Sequence, residues 1–115
     1  MRKETELSAV GQYSYSIFLP DVMIIRNILD IYSSISDAIQ NKDGLVIEIS
    51  ERAEADLSFI QLIEAARRQA KKHGKPIALA SAASGHLLKV LDRAGFLAAF
   101  NPDDAKFWLH KEVTL

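Results

Sequence analysis

No cysteine occurs among the 115 residues of this chain. That excludes a disulfide framework, a thiolate metal site and a cysteine nucleophile. No charge of one sign dominates: 14 Lys and Arg stand against 15 Asp and Glu, a formal net charge of −1. A nucleic-acid-binding domain is expected to carry a basic face. The one basic concentration here is Arg67, Arg68, Lys71, Lys72, His73 and Lys75. No apolar run approaches the roughly 20 residues that cross a bilayer. The N-terminal MRKETELSAV lacks the apolar core of a signal peptide. These absences fit a cytoplasmic protein that neither inserts into a membrane nor binds nucleic acid. Internal repeats and low-complexity tracts are absent as well.

What is there is an apolar fraction of 49%, enough for a core in a chain of single-domain length. Residues 1–11 are polar and read as a flexible segment, leaving 12–115 as the domain. Gln12 to Leu19 alternates, with Tyr13, Tyr15 and Ile17 on one face and Ser14, Ser16 and Phe18 on the other, which predicts a strand. Val22 to Ile25 reads as a second short strand or as the lead-in to a helix. From Arg26 to Gln40 the period changes, and Ile25, Ile28, Leu29, Tyr32, Ile35 and Ile39 form one helical stripe. Asn41-Lys42-Asp43-Gly44 ends it. Leu45 to Ile49, apolar except for Glu48, reads as a strand buried on both faces.

Ser50 to Ala55 then reads as a loop and Leu57 to His73 as a second helix, with Phe59, Leu62, Ile63, Ala66 and Ala70 on its apolar stripe. Gly74 is placed as its C′ residue and Pro76 follows at the expected distance. Ile77 to Ala80 reads as another buried strand and Gly85 to Ala94 as a third helix ended by Gly95. Asn101-Pro102-Asp103-Asp104 reads as a turn before a last apolar patch, Phe107-Trp108-Leu109. Strands alternating with helices predict an α/β domain with a largely parallel sheet. Functional loops of such sheets gather at the carboxyl ends of the strands, here Ser50 to Asp56 and Ser81 to Ser84.

The junction Asp56-Leu57-Ser58 is the most informative point. Asp56 can serve as a helix N-cap, or Ser58 with Gln61 can form a capping box. The same helix start presents free N–H groups and partial positive charge. A phosphate added to Ser58 there would be favoured by the dipole and opposed by nearby acids. The carboxylates Glu48, Glu51, Glu54, Asp56 and Glu64 show no spacing that marks a catalytic pair. His73, His86 and His110 are scattered, so no metal or cofactor is expected. The small-residue loop Ser81 to Gly85 lacks the glycine and lysine pattern of a P-loop. Arg67, Arg68, Lys71 and Lys72 read as a solvated outer face of the second helix, with an electrostatic docking patch for an acidic partner as the sharper alternative.

The run VIEIS, a short loop, DLSFIQLIEAARRQAKKHGKPIAL, a small-residue loop and HLLKVLDRAGF together resemble a STAS domain, the family of sulfate transporter domains and anti-sigma factor antagonists. The resemblance spans about Gln12 to Leu97, and DLSFIQLIEAAR is similar to the small stand-alone STAS proteins of chemotaxis-type signalling clusters. It implies a single STAS-like domain with a small mixed, largely parallel sheet and helices packed mainly on one face. It also implies a non-enzymatic bacterial signalling module that binds a serine kinase, an anti-sigma factor or a chemotaxis protein. In the family, phosphorylation at the start of the helix after the central strand controls that binding. Asp56 matches the family's acid. Leu57 falls where the phosphoacceptor stands, Ser58 follows it, and Phe59 replaces a glycine. Either Ser58 takes the acceptor role one residue later, or the module works without phosphorylation. The expected partner surface comprises Asp56, Leu57, Ser58, Phe59, Ser81 and Ser84. An accessory STAS subunit of a lipid or anion transporter, binding a small ligand, is the alternative, and a homodimer stays open.

Overall fold

The computed structural model describes residues 15–111. The expected N-terminal segment 1–11 and strand positions 12–14 lie outside the described residues, as do residues 112–115. Strand β1 spans Tyr15–Phe18, β2 spans Val22–Met23, and a single 3-10 turn at Ile25–Asn27 leads into helix α1, Ile28–Asn41. Strand β3 (Leu45–Glu48), the two-residue β4 (Glu54–Ala55), helix α2 (Leu57–Lys72) and strand β5 (Ile77–Leu79) follow. Then come helices α3 (Gly85–Arg93), α4 (Phe96–Ala99) and α5 (Pro102–Leu109).

The fold is α/β, as the alternating periods predict. One sheet has the order β1-β3-β5, and β2 and β4 form a second, two-stranded ladder. All three pairings among the described residues are parallel. Parallel neighbours need a crossover between them. Helix α1 lies between β1 and β3 in the chain, and α2 between β3 and β5. The register Tyr15↔Leu45↔Ile77 puts β3 at the centre, which is why its sequence is apolar at nearly every position. Among the described residues strand β5 is an edge strand rather than a fully buried one: Leu79 is buried, Ile77 half-buried and Ala78 exposed.

Helix α2 packs as its period requires. Phe59, Leu62, Ile63, Ala66 and Ala70 are all buried, joined by Ile60. Gly74 follows in the left-handed conformation at φ 67°, the usual helix exit. Helix α1 departs from its expected stripe. The buried positions are Ile31, Ile35, Ala38 and Ile39, while Ile25, Leu29 and Tyr32 face solvent. The helix is rotated so that Ile31, not Leu29, meets the core. Ser36 and Tyr32 approach Gln69 of α2 across the contact between the two helices. The Lys75 ammonium donates to the carbonyls of Ile39 at 2.7 Å and Gln40 at 3.1 Å, a cation placed where the negative end of α1 favours it.

The expected turn at Asn101 is the start of α5. Asn101 Oδ1 accepts the Asp104 N–H at 2.8 Å and Asp104 Oδ2 accepts the Asn101 N–H at 3.1 Å. With Pro102 at the first helical position, this is a complete capping box. Helix α5 delivers Phe107 and Trp108 into the core. Trp108 is fully buried, and its indole N–H donates to Glu64 Oε2 at 2.9 Å. The same oxygen accepts from Arg67 Nη1 at 2.9 Å, and that nitrogen also donates to Asp104 Oδ1 at 2.9 Å. The Arg67 guanidinium sits 4.5 Å from the centre of the Phe107 ring. One arginine thus ties α2 to α5 by charge, hydrogen bonding and ring contact.

Glu64→Ala leaves the buried indole N–H without its acceptor and releases Arg67. It is expected to lower the unfolding free energy by about 1–3 kcal/mol, seen as a reduced urea midpoint at unchanged slope.

Candidate functional site

The ladder between β2 and β4 brings two helix starts together. Asp21 O accepts the Glu54 N–H at 2.7 Å, and Met23 O accepts the Asp56 N–H at 3.2 Å. The chain leaving β2 enters the 3-10 turn Ile25–Asn27 that leads into α1, and the chain leaving β4 enters α2, so that turn and the first turn of α2 both lie beside Asp56. Its carboxylate serves each of them. Oδ1 accepts the Ser58 N–H at 3.0 Å and also the Ser58 hydroxyl. Oδ2 accepts the Ile25 N–H at 2.9 Å. Asn27 completes the turn into α1, accepting from the Ile24 N–H at 2.9 Å and donating to Val22 O at 2.7 Å.

Partial desolvation raises the proton affinity of Asp56. The Ser58 hydroxyl and the backbone N–H groups of Ile25, Ser58 and Phe59 outweigh it and hold the carboxyl below the ordinary value. Asp56 is therefore an ionised cap at neutral pH, and Ser58 is oriented by it.

The two loops at the strand ends meet here only in part. His86 Nε2 donates to Ala55 O at 3.1 Å. Gly85, at φ 55°, comes so close to the 50–55 segment that a Cβ would stand 3.1 Å from Glu51 O. The start of α3 is thus pressed against the residues before α2. Ser84 is the exposed N-cap residue of α3, and its side chain makes no capping bond. Ser81 is exposed at the end of β5, and no described hydrogen bond joins it to Asp56. That loop is held instead by α5, through the Ala83 N–H donating to Trp108 O at 2.7 Å.

Of the expected surface residues, Asp56 and Ser58 are half-exposed and Leu57 is 45% exposed. Phe59 must be corrected: at 0% exposure it belongs to the core. Two positions on from Leu57, it lies on the far side of α2, where the inward stripe runs. Four residues that the sequence patterns do not mark as surface take its place. Val22, Ile25, Leu29 and Tyr32 are exposed apolar side chains, with Ile25 at 70% and Leu29 at 76%. Ile25, Leu29 and Tyr32 follow one another at helical spacing, and Ile25 lies against the carboxylate that caps α2. That spacing is visible in the sequence, where it has the form of a core stripe.

No group of His, Cys, Asp and Glu among the described residues is arranged to hold a metal ion. No helix among them is long and apolar enough to cross a membrane. No protein-family model, curated protein or solved structure matches the chain.

Asp56→Asn keeps an acceptor for Ser58 but places an amide where Oδ2 accepted from Ile25. A loss of about 1 kcal/mol is expected at neutral pH. A carboxyl held below its ordinary value contributes fully above that value, 3.8. The contribution is lost as pH falls through the lower folded value. The gap in stability between the wild type and Asp56→Asn should therefore be constant near neutrality and close on acidification, as measured by urea unfolding across a pH series.

Proposed function

We propose that this chain is a STAS-type protein-interaction module of bacterial signalling, working in the cytoplasm by binding rather than by catalysis. Its partner would be a serine kinase, an anti-sigma factor or a chemotaxis protein. The observation that carries the reading is the set of exposed apolar side chains, Val22, Ile25, Leu29 and Leu57, on the segments that meet at the Asp56 cap. Single exposed apolar residues are ordinary, whereas a group of them beside a rigid polar centre has the makeup of a docking site. The α/β architecture and the sequence resemblance through DLSFIQLIEAAR support the same reading.

Ser58 gives the surface a means of control. Its hydroxyl donates to Asp56, and a phosphorylated Ser58 could not. It would set a group of about −1.5 to −2 charges against the Asp56 carboxylate. The helix dipole favours the new charge while Asp56 opposes it. The relief is for Asp56 to leave the cap, which releases the Ile25 N–H and reshapes the apolar surface beside it.

Partner retention measured by quantitative affinity capture from the native host tests the reading. Leu29→Asp and Leu57→Asp, each confirmed folded by circular dichroism, are expected to weaken capture of the same partner about thirtyfold, on the order of 2 kcal/mol. Ser58→Ala should bind and Ser58→Asp should not. Full retention by both aspartate variants at Leu29 and Leu57 would remove this surface from the function.

A further inference from the structure

The other end of α2 borders a second surface that does not depend on the reading above. The C-terminal half of α2, the residues from Gly74 to Leu79 and helix α5 enclose an open groove of about 1120 Å³. Strand β5 forms part of its wall, and among the described residues β5 pairs with β3 alone. The Leu45 N–H donates to Pro76 O at 3.0 Å and the Ala80 N–H donates to Ile47 O at 2.9 Å. Pro76 and Ala80 thus turn toward β3. By the two-residue alternation of a strand, Ile77 and Leu79 turn their N–H and C=O groups to the open side. His110 Nε2 donates to Leu79 O at 3.1 Å, in agreement with that direction. Among the described residues no hydrogen bond reaches the Ile77 N–H, the Ile77 C=O or the Leu79 N–H from that side.

Free edges are commonly guarded by lysine, by proline or by a covering helix, and here His110 at the end of α5 reaches the Leu79 carbonyl. Pro76 turns its missing N–H toward β3, and the Lys75 ammonium is occupied by the carbonyls that end α1. The groove also has a charge of its own. Arg67 is committed to Glu64 and Asp104. Arg68, Lys71 and Lys106 line the groove with no acid in ion-pair reach among the described residues, and Asp103 is the remaining acid on the wall. Half-buried Ile77 adds apolar surface between the charges.

We propose that this groove binds an extended acidic peptide, which adds to the edge of β5 as a further strand and sets its carboxylates against Arg68, Lys71 and Lys106. Strand addition draws its affinity from main-chain hydrogen bonds and its selectivity from alternate side chains. The edge supplies the first and the cationic rim the second. A nucleic acid offers no ladder of alternating N–H and C=O groups to pair with the edge.

Fluorescence anisotropy with a labelled peptide of alternating Glu and Val tests this on the full chain. The peptide should bind, and a Lys/Val peptide of equal length should not. N-methylation of the peptide at alternate residues, which leaves its charge intact, should weaken binding at least about tenfold in one of the two registers, as expected for loss of strand hydrogen bonds. Arg68→Glu combined with Lys71→Glu, on the exposed side of α2, should abolish binding while circular dichroism stays unchanged. The proposal is overturned if the Glu/Val peptide does not bind, if both N-methylated registers bind as well as the parent, if the double variant binds normally, or if single-stranded RNA binds more tightly than the peptide.

Discussion

The Asp56 carboxylate accepts hydrogen bonds from the first turns of two helical segments, through Oδ1 from Ser58 and through Oδ2 from Ile25. A helix start leaves N–H groups without partners, and two such starts side by side would place unsatisfied donors and two partial positive charges together. One ionised carboxylate answers both needs. The β2–β4 ladder makes this geometry available by aligning the chain segments that leave the sheet. That shared cap ties the chain entering α1 to the first turn of α2, beside the exposed side chains of Ile25 and Leu57.

The opposite edge of the fold is secured differently. There the fixed point is Glu64, which receives the buried Trp108 indole and the Arg67 guanidinium on the same oxygen. Asp104 has a double duty, closing the capping box of α5 with one oxygen and meeting Arg67 with the other. The C-terminal helix is attached to α2 by a few charge-assisted bonds around one aromatic pair. These bonds neutralise Arg67, and the cations left over lie along the groove.

Most of the architecture could be read from the sequence because β3 and α2 obey their periods strictly. Leu45 to Ile47 is apolar throughout, and every expected inward position of α2 is buried. The failures have local causes. Ile25, Leu29 and Tyr32 have the spacing of a core stripe, and a period cannot distinguish a face turned to the core from one turned to solvent when both are apolar. Strand β4 is two residues long and α4 four, too short to carry a period. Pro102 and Asp103 suggest a turn in isolation, and only Asn101 and Asp104 taken together show a capping box. Asp56 was legible as the N-cap, and it holds that place rather than the alternative box of Ser58 with Gln61. The bond from Ile25, 31 residues away in the chain, depends on strand pairing that no local pattern displays.

Helix α2 has 16 residues, about 24 Å of rigid rod at 1.5 Å per residue. The Asp56 cap lies at one end, and the groove runs from Glu64 at mid-helix toward the other. Because α2 is pinned by both Asp56 and Glu64, that separation is a fixed spacing rather than an average over a flexible linker. Two ligands held at its ends would stand within a protein diameter of each other without competing for space. Their encounter would then be governed by that fixed geometry, and the domain would act as a ruler between them.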